Sequence, residues 1–600
     1  MTVEEIQKRL AVFLILLLVM TSILSLRLVG LQLVNGEKYE KLSVGNKLRV
    51  IPLQAPRGDI LDRNLQPLAS SRPAFSVSIM LLNPNDALES AKKLGAIIGK
   101  DPGELVRKVQ EGLKLRPFDS VKVASDISPE IHTQIAEMLD ELPGVVIEAE
   151  PIRYYPQGSL AAHVLGYVHE ISQEQLSKPQ FQSYKPGDLV GQFGLEASYE
   201  SVLRGTNGGK QVEVDATGHP RSILGRTEPI PGQTILTTID SRIQKVAEEA
   251  LTEQMKRLRE SPGRPFPNAK SGAVVVLDVR TGAVLALVSL PSFDPNEFAR
   301  GISAAKFNEL QSQNAFVDRA ISLAYPPGST FKMVTAVAAL EEKKVAKDET
   351  VYDPGYHPAV PSLHCWGASG HGAVNLVRAI KESCNVFFYE MGRRLGLDAI
   401  AKYAARFGLG KQTGVDLYGE ATGLLPTTSW KKSVYHEDVL MAENMMAGMG
   451  QTFHLYTPIQ LANYIATLAT GVRHKPFLVQ KVIAPDGKIV EEKVPVVEDN
   501  LGDIKPETLE LVRKGMLEVT KPGGTAAGVF AGLPIDVAGK TGTAENSLGD
   551  NHAWFVGYAP FQNPEIAVCV LIEQGGHGSS AAAPVARKIF EAYFISGGAN

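Results

Sequence analysis

Tyr325-Pro326-Pro327-Gly328-Ser329-Thr330-Phe331-Lys332 runs straight into the apolar stretch Met333-Val334-Thr335-Ala336-Val337-Ala338-Ala339-Leu340. Prolines and glycine cannot continue a helix, so a helix is expected to open at Ser329 and run through Ala339. A spacing of three puts Ser329 and Lys332 on one helix face, within mutual reach. A serine hydroxyl is a poor nucleophile until a neighbouring base takes its proton, and a partly desolvated lysine can serve. The helix start adds backbone N–H groups and a positive dipole end beside the reacting atom. Alone, Ser-x-x-Lys is too common to carry weight.

Two further motifs follow in order. Ser383-Cys384-Asn385 comes just after a helix that ends near Glu382, and Lys540-Thr541-Gly542-Thr543 closes an apolar segment that reads as a strand. Lysine and two threonine hydroxyls suit a substrate carboxylate, and Gly542 reads as room for substrate along the strand edge. If Ser383–Asn385 is extended, Ser383 and Asn385 face the site and Cys384 points behind it. The three motifs in this order and spacing form a strong signal. Competing motifs fail: there is no G-x-S-x-G or H-E-x-x-H, Pro534 stands where a P-loop needs its first glycine, and Thr413 interrupts the dinucleotide-like Gly408-Leu409-Gly410.

Around the motifs the pattern is α+β. Thr234 to Ile239 reads as a strand, and Asp240 or Ser241 caps a helix carrying Ile243, Val246, Ala247, Ala250, Leu251, Met255 and Leu258 at helical period. Ala273–Leu277 and Ala283–Val288 are buried strands. Strands near Val537, Trp554–Tyr558 and Ile566–Ile572 precede a helix over Ala582–Phe594. A sheet with strands from both ends and helices between predicts one α+β domain over 236–600. Before it, 33–235 reads as an elongated mixed module, with a helix opening at Gly191-Gln192-Phe193-Gly194 and running through Leu203, and a strand over Lys210–Asp215. The Arg57-Gly58-Asp59 triplet in that module is a weak adhesion signal, and paired arginines and aspartates near a domain root more often form structural ion pairs.

Six hundred residues are too many for one core. The composition, 44% hydrophobic and 21% charged, is globular, and a net charge of −4 gives no support to a nucleic-acid partner. Three cysteines, Cys365, Cys384 and Cys569, exclude a disulfide framework. Leu10–Gly30 carries Arg27 as its only charge and spans roughly 31 Å as a helix, enough to cross a bilayer. It outruns a signal-peptide core and no A-x-A-like site follows, so an uncleaved anchor over 10–32 is expected. Lys8 and Arg9 favour a cytoplasmic tail over 1–9, while Lys38, Lys41, Lys47 and Arg49 oppose that reading. A nine-residue tail holds no domain, so the rest is expected to be translocated.

The Ser-x-x-Lys, Ser-x-Asn and Lys-Thr-Gly set resembles the penicillin-recognising serine acyltransferases. Arg57-Gly58 through Asp62-Arg63, Gly194-Leu195-Glu196, Pro291–Pro295, Pro327–Lys332 and Gly448–Gln451 resemble class B penicillin-binding proteins. The double proline before Gly328 and His552–Tyr558 look like the elongation type, penicillin-binding protein 2, and no glycosyltransferase domain precedes the module. The resemblance implies a serine transpeptidase fold, an antiparallel sheet flanked by helices, on a pedestal domain. It implies a peptidoglycan D,D-transpeptidase at the bacterial inner membrane, facing outward, that needs no cofactor for chemistry and is a β-lactam target. Ser329 would attack D-Ala–D-Ala, Lys332 act as base, Ser383 relay a proton and Asn385 orient Lys332. Lys540, Thr541 and Thr543 would hold the carboxylate, and the Ser329 and Thr543 N–H groups form the oxyanion hole. Implied partners are stem peptides, a SEDS-family glycan polymerase and other elongation-complex proteins. A division-type enzyme, a D,D-carboxypeptidase and a penicillin-binding sensor are the alternatives.

Asp353, Cys365, His371 and Cys384 are potential metal ligands, with His357 and His364 as competitors. Some elongation-type relatives resemble this pattern at their zinc ligands, with aspartate in place of Cys365. A structural zinc and a Cys365–Cys384 disulfide are therefore the two readings of this segment.

Overall fold

The computed structural model describes residues 2–37, 48–80, 84–115, 120–214, 220–263, 265–546 and 549–595. Lys38, Lys41 and Lys47, and the expected strand end at Asp215, lie outside them. Val3–Val29 is one helix, continued by a wider π-helical turn over Gly30–Val34. None of its residues is buried, and it is long and apolar enough to cross a membrane.

Two compact units follow from the contacts, and the division is not linear. One comprises Met1–Pro56, Pro73–Pro151 and Gly205–Pro231; the other Arg57–Arg72, Ile152–Arg204 and Gly232–Asn600. In the first, strands Leu48–Leu53, Gly208–Val214 and Pro220–Thr227 form an antiparallel sheet. Its apolar core gathers Val77, Ala91, Leu94, Val109 and Ile135 from a strand and three helices.

The second unit is built on helix α1 (Ser241–Arg259), strands β1 (Gly272–Asp278) and β2 (Val284–Leu290), and helices α2 (Lys332–Glu341), α3 (Leu376–Lys381), α4 (Asn385–Leu395) and α5 (Pro458–Thr470). Strands β3 (Ala538–Ala544), β4 (His552–Ala559) and β5 (Ile566–Ile572) and helix α6 (Ala582–Phe594) complete it. The five strands form one antiparallel sheet in the order β2-β1-β5-β4-β3. Every residue of β5 is buried, which requires cover on both faces. Helices α1 and α6 pack on each other and on the sheet, and α5, buried from Pro458 to Ala469, crosses three strands. Asp240 caps α1 by accepting from the N–H groups of Arg242 and Ile243. The expected apolar stripe of α1 is buried except for Val246, which is half-buried.

Two expectations need correction. The Gly191–Leu203 helix is a strand (Leu189–Gly191) and two short helices, Gly194–Ser198 and Glu200–Leu203. The break at Tyr199 lets its hydroxyl donate to Asp416 Oδ2 at 2.9 Å. The strand from Thr234 stops at Thr237. The ion-pair reading of the Arg57-Gly58-Asp59 triplet holds for Arg57, whose side chain is buried against acids, and a Cβ on Gly58 would lie 1.8 Å from Gln233 O.

Glu196 is the hub of that buried site. It pairs with Arg57 Nη2 at 2.7 Å and with Arg153, and accepts from Tyr155 Oη at 3.1 Å. Arg57 also pairs with Glu200 at 2.8 Å, and Arg153 Nη1 donates to Gly58 O at 2.7 Å. Burial alone would raise the Glu196 pKa; the Arg153 and Arg57 guanidiniums overcome it and hold the carboxyl below its ordinary value. This stability is present above the ordinary value of 4.5 and is lost as pH falls through the lower folded value. Glu196→Gln leaves two buried guanidiniums short of one charge and is expected to cost about 3–5 kcal/mol. Urea unfolding of the detergent-solubilised chain at neutral pH measures it; a midpoint shift worth less than about 1 kcal/mol would remove Glu196 from this role.

Candidate active site

The chain reaches Ser329 through a turn that only glycine permits. Gly328 has φ +53°, its N–H donates to Gly450 O at 3.0 Å, and a Cβ there would lie 2.8 Å from Thr543 O. The first turn, Gly328–Phe331, is 3-10 rather than the expected α-helix, and α2 begins only at Lys332. Thr330 Oγ1 ties back to Pro327 O at 2.7 Å and tightens it. A 3-10 turn stacks residues three apart, so Ser329 and Lys332 remain on one side of the chain. Within Gly328–Lys332, only Ser329 is even partly exposed.

Lys332 is fully buried, and its amine is received by one turn. Nζ donates to Ser383 O at 2.9 Å, Ser383 Oγ at 3.2 Å and Asn385 Oδ1 at 2.8 Å. That turn is not extended, as expected from sequence; it is the left-handed end of α3. Ser383 has φ +56°, its N–H bonds to Ile380 O at 3.2 Å, and the Cys384 N–H bonds to Ala379 O at 3.0 Å. This pair of bonds defines a Schellman motif, in which the left-handed position is usually glycine. Cys384 then caps α4, with Sγ accepting from Phe387 N. The turn, not strand alternation, sends Cys384 behind the site.

Each carbonyl along this helix end has a partner within the chain. Ala379 O and Ile380 O are closed by the motif itself. Lys381 O accepts from Thr525 N at 3.3 Å and Glu382 O from Trp366 Nε1 at 2.9 Å, while Ser383 O accepts from Lys332.

Strand β3 brings the third motif in. Lys540 Nζ donates to Ser383 Oγ at 2.8 Å and Thr541 O at 3.0 Å. Two lysines thus share the two lone pairs of one hydroxyl, leaving the Ser383 proton free to donate elsewhere. Burial lowers the Lys332 pKa to about 8. Burial, with repulsion from Lys332, also depresses Lys540 well below its ordinary value. A pKa of about 8 leaves the Lys332 amine mostly charged at pH 7, in keeping with its three donated bonds, and brings the neutral base with its lone pair within reach just above neutral pH. β3 is the sheet's edge strand, and Thr543 is half-exposed. Thr541 is buried, its hydroxyl bonded to Thr525 Oγ1 at 2.8 Å.

Gly542 needs a different explanation from the expected one. A Cβ there would lie 2.8 Å from Thr330 Cγ2 and 2.9 Å from Trp554 Cβ. Glycine lets the edge strand close on the Ser329 turn and on β4. Sequence reading missed Thr525 and Trp366; it quoted Gly450 and Trp554 in matching stretches but gave no role to either, and Trp554 Nε1 donates to Pro326 O at 3.1 Å. The Lys521-Pro522-Gly523-Gly524-Thr525 turn was the available signal for Thr525; for Trp366 none existed.

Behind the turn, donor atoms of Asp353, Cys365, His371 and Cys384 all lie within 4.8 Å of one another. Asp353 Oδ2 meets His371 Nδ1 at 2.7 Å and Cys384 Sγ at 3.2 Å, and Cys365 Sγ meets His371 Nδ1 at 3.3 Å. Both cysteines are free thiols, so the disulfide reading is not what the structure contains. A hydrogen bond from Cys384 lowers the Cys365 pKa to about 6 against the opposing effect of burial, and Cys384 correspondingly keeps its proton. His357 is engaged elsewhere: Nε2 meets Glu390 at 3.1 Å and Nδ1 accepts from Ala359 N at 3.2 Å. His364 is exposed and outside the cluster.

Residues 272–591 match the family model described as the penicillin binding protein transpeptidase domain, and 52–237 match the penicillin-binding protein dimerisation domain. The chain is 31% identical over 588 residues to the peptidoglycan D,D-transpeptidase MrdA of Escherichia coli, covering 94% of this chain and 90% of that one. A Helicobacter pylori penicillin-binding protein 2 solved in complex with MreC superposes with TM-score 0.79 at 28% identity, over 92% of this chain and 99% of that one. A chain from a peptidoglycan synthase complex that coordinates polymerisation and crosslinking gives TM-score 0.74 at 31% identity, with 99% of each covered.

The left-handed serine separates two effects cleanly. Ser383→Ala and Ser383→Gly both delete the hydroxyl, but only glycine relieves the backbone strain. The glycine variant is expected to be the more stable of the two by about 1 kcal/mol in urea unfolding. The reverse order would mean that the turn is unstrained.

Proposed function

This chain belongs to the penicillin-binding protein transpeptidases, and from that premise we infer that it is a peptidoglycan D,D-transpeptidase of the elongation type and a penicillin target. The observation that carries the chemistry is the buried amine of Lys332, joined to Ser383 and Asn385 three residues after a partly exposed serine. Ser329 Oγ attacks the carbonyl carbon of the D-Ala–D-Ala bond while neutral Lys332 takes its proton. The C–N bond breaks, and the leaving D-alanine amine takes a proton through Ser383, whose O–H the two lysines leave unengaged. An amine on a second stem peptide then attacks the acyl-enzyme ester, forms the cross-link and releases Ser329. Lys540 and the Thr543 hydroxyl suit the terminal carboxylate; Thr541, bonded to Thr525, supports the strand. The N–H groups of Ser329 and Thr543 serve the oxyanion, where one such donor is typically worth roughly 3–4 kcal/mol.

The N-terminal helix fits a single-pass anchor, with the catalytic unit on the outer face of the inner membrane. Residues 33–235 supply the pedestal, apart from Arg57–Arg72 and Ile152–Arg204, which group with the transpeptidase domain of 236–600. The chain supplies cross-linking, so a membrane glycan polymerase of the SEDS family is the matching partner, alongside other elongation-complex proteins such as an MreC-like protein.

Asp353, Cys365, His371 and Cys384 form a donor set suited to zinc. Tetrahedral bonds of roughly 2.0–2.3 Å need donors roughly 3.3–3.8 Å apart, close to the present spacing. Four protein ligands leave no position for water, so the site would be structural and would pin the segment carrying Ser383 and Asn385.

Fluorescent penicillin is expected to label Ser329 alone, and Ser329→Ala to abolish labelling with the fold intact. Acylation should quicken about tenfold per pH unit on approach to pH 8 and level off above it, as the depressed Lys332 amine loses its proton. An adduct on another residue, or a rate flat from pH 6 to 9, overturns the assignment.

Protein purified without added metal should contain about one zinc per chain, and His371→Ala should lower both zinc content and acylation rate. Metal-free protein that acylates at full rate would refute the zinc site.

A further inference from the structure

Trp366 is 64% exposed, although an indole gains by burial. Its ring edge is nonetheless fixed: Nε1–H donates to Glu382 O at 2.9 Å, and the ring lies 5.2 Å from that of His371. Glu382 is the last residue before the left-handed Ser383, and its carbonyl is one that the Schellman bonds leave open. The preceding two residues grip the other end of the same turn. Cys365 Sγ accepts from Asn385 N at 3.3 Å, and His364 O accepts from Asn385 Nδ2 at 3.4 Å. His364–Trp366 is therefore a strap across Glu382–Asn385, bonded on both sides of Ser383. A non-glycine residue persists at φ +56° only where its surroundings over-determine it.

We propose that Trp366 is a positioning residue for acyl transfer, holding the Ser383 turn so that its hydroxyl stays in register with Lys332 and Lys540. This rests on the roles given above to Ser329, Lys332 and Ser383. Tryptophan suits the task because its ring N–H is a donor with no acceptor character, on a rigid arm long enough to reach a backbone carbonyl from the neighbouring segment. Loss of that bond loosens the hydroxyl without removing any group that touches substrate.

The test uses the full-length, detergent-solubilised protein and a fluorescent penicillin, separating the limiting acylation rate from the concentration giving half-saturation. Trp366→Phe keeps an aromatic ring at this position and deletes the N–H together with the five-membered ring that carries it. Its limiting rate should fall at least about tenfold, since small misplacements of reacting groups carry penalties of that size. Half-saturation, melting temperature and metal content should stay at wild-type values. Trp366→Leu, which also has no side-chain donor, should behave alike and serves if the phenylalanine variant is not recovered. Tyr352→Ala, at a 68% exposed aromatic of the same lobe, should acylate normally. A wild-type limiting rate in Trp366→Phe or Trp366→Leu overturns the proposal. So does a rate loss that only tracks a lower melting temperature or metal content. Absence of Ser329 labelling in the wild-type protein would instead overturn the catalytic reading itself.

Discussion

A primary amine placed at zero solvent exposure has to find acceptors, and Lys332 finds all of its own on one turn of three residues. Leaving such a group unpaired in a protein interior is prohibitive, so this constraint propagates outward. Ser383 O, Ser383 Oγ and Asn385 Oδ1 converge on one point because Ser383 is left-handed. Ser383 is left-handed because α3 ends there in a Schellman motif. That helix end is tenable because Thr525, Trp366 and Lys332, from three other parts of the chain, supply donors to its remaining carbonyls. A serine occupies a position that glycine would fill with less strain, and the hydroxyl shared by two lysines is the reason.

The sheet provides the rigidity this requires. β3 lies at the edge, where its outer side is open to an extended substrate. It is pressed onto the Ser329 turn at points where even a methyl group would collide: Gly542 against Thr330 and Trp554, and Gly328 against Thr543 O. Site groups held by strands and helix ends, and not by mobile loops, keep the tolerance that acyl transfer needs. The lowered Lys332 pKa follows from the same packing, since the burial that fixes the amine also disfavours its charge.

Behind the turn the thiol, imidazole and carboxylate groups do a related job. Asp353 gathers His371 N and Nδ1 and Cys384 Sγ on one oxygen, and Gly355 N on the other at 2.7 Å. The segment from Asp353 to Cys384 is thereby anchored to the beginning of α4, and its middle supplies the strap across the Ser383 turn.

Much of this was legible in the residues. The long apolar N-terminal helix, the apolar stripe of α1, the strands and helix of the C-terminal sheet and the three motifs all follow from local periodicity and local chemistry, which a linear sequence carries directly. Asp353, Cys365, His371 and Cys384 were singled out with help from the resemblance to the zinc ligands of elongation-type relatives, since spacing alone left His357 and His364 in contention. Tertiary structure alone decided the rest. The conformation of Ser383–Asn385 depends on where α3 stops and on who satisfies its carbonyls, and those donors lie up to some hundred and forty residues away. Gly542 serves packing and not substrate clearance, because the atoms its Cβ would strike belong to other segments. His357 drops out as a ligand because Glu390 and Ala359 N take both ring nitrogens. Side-chain type and spacing state what a residue can do; which partner it meets is set by long-range packing, and no local pattern encodes that.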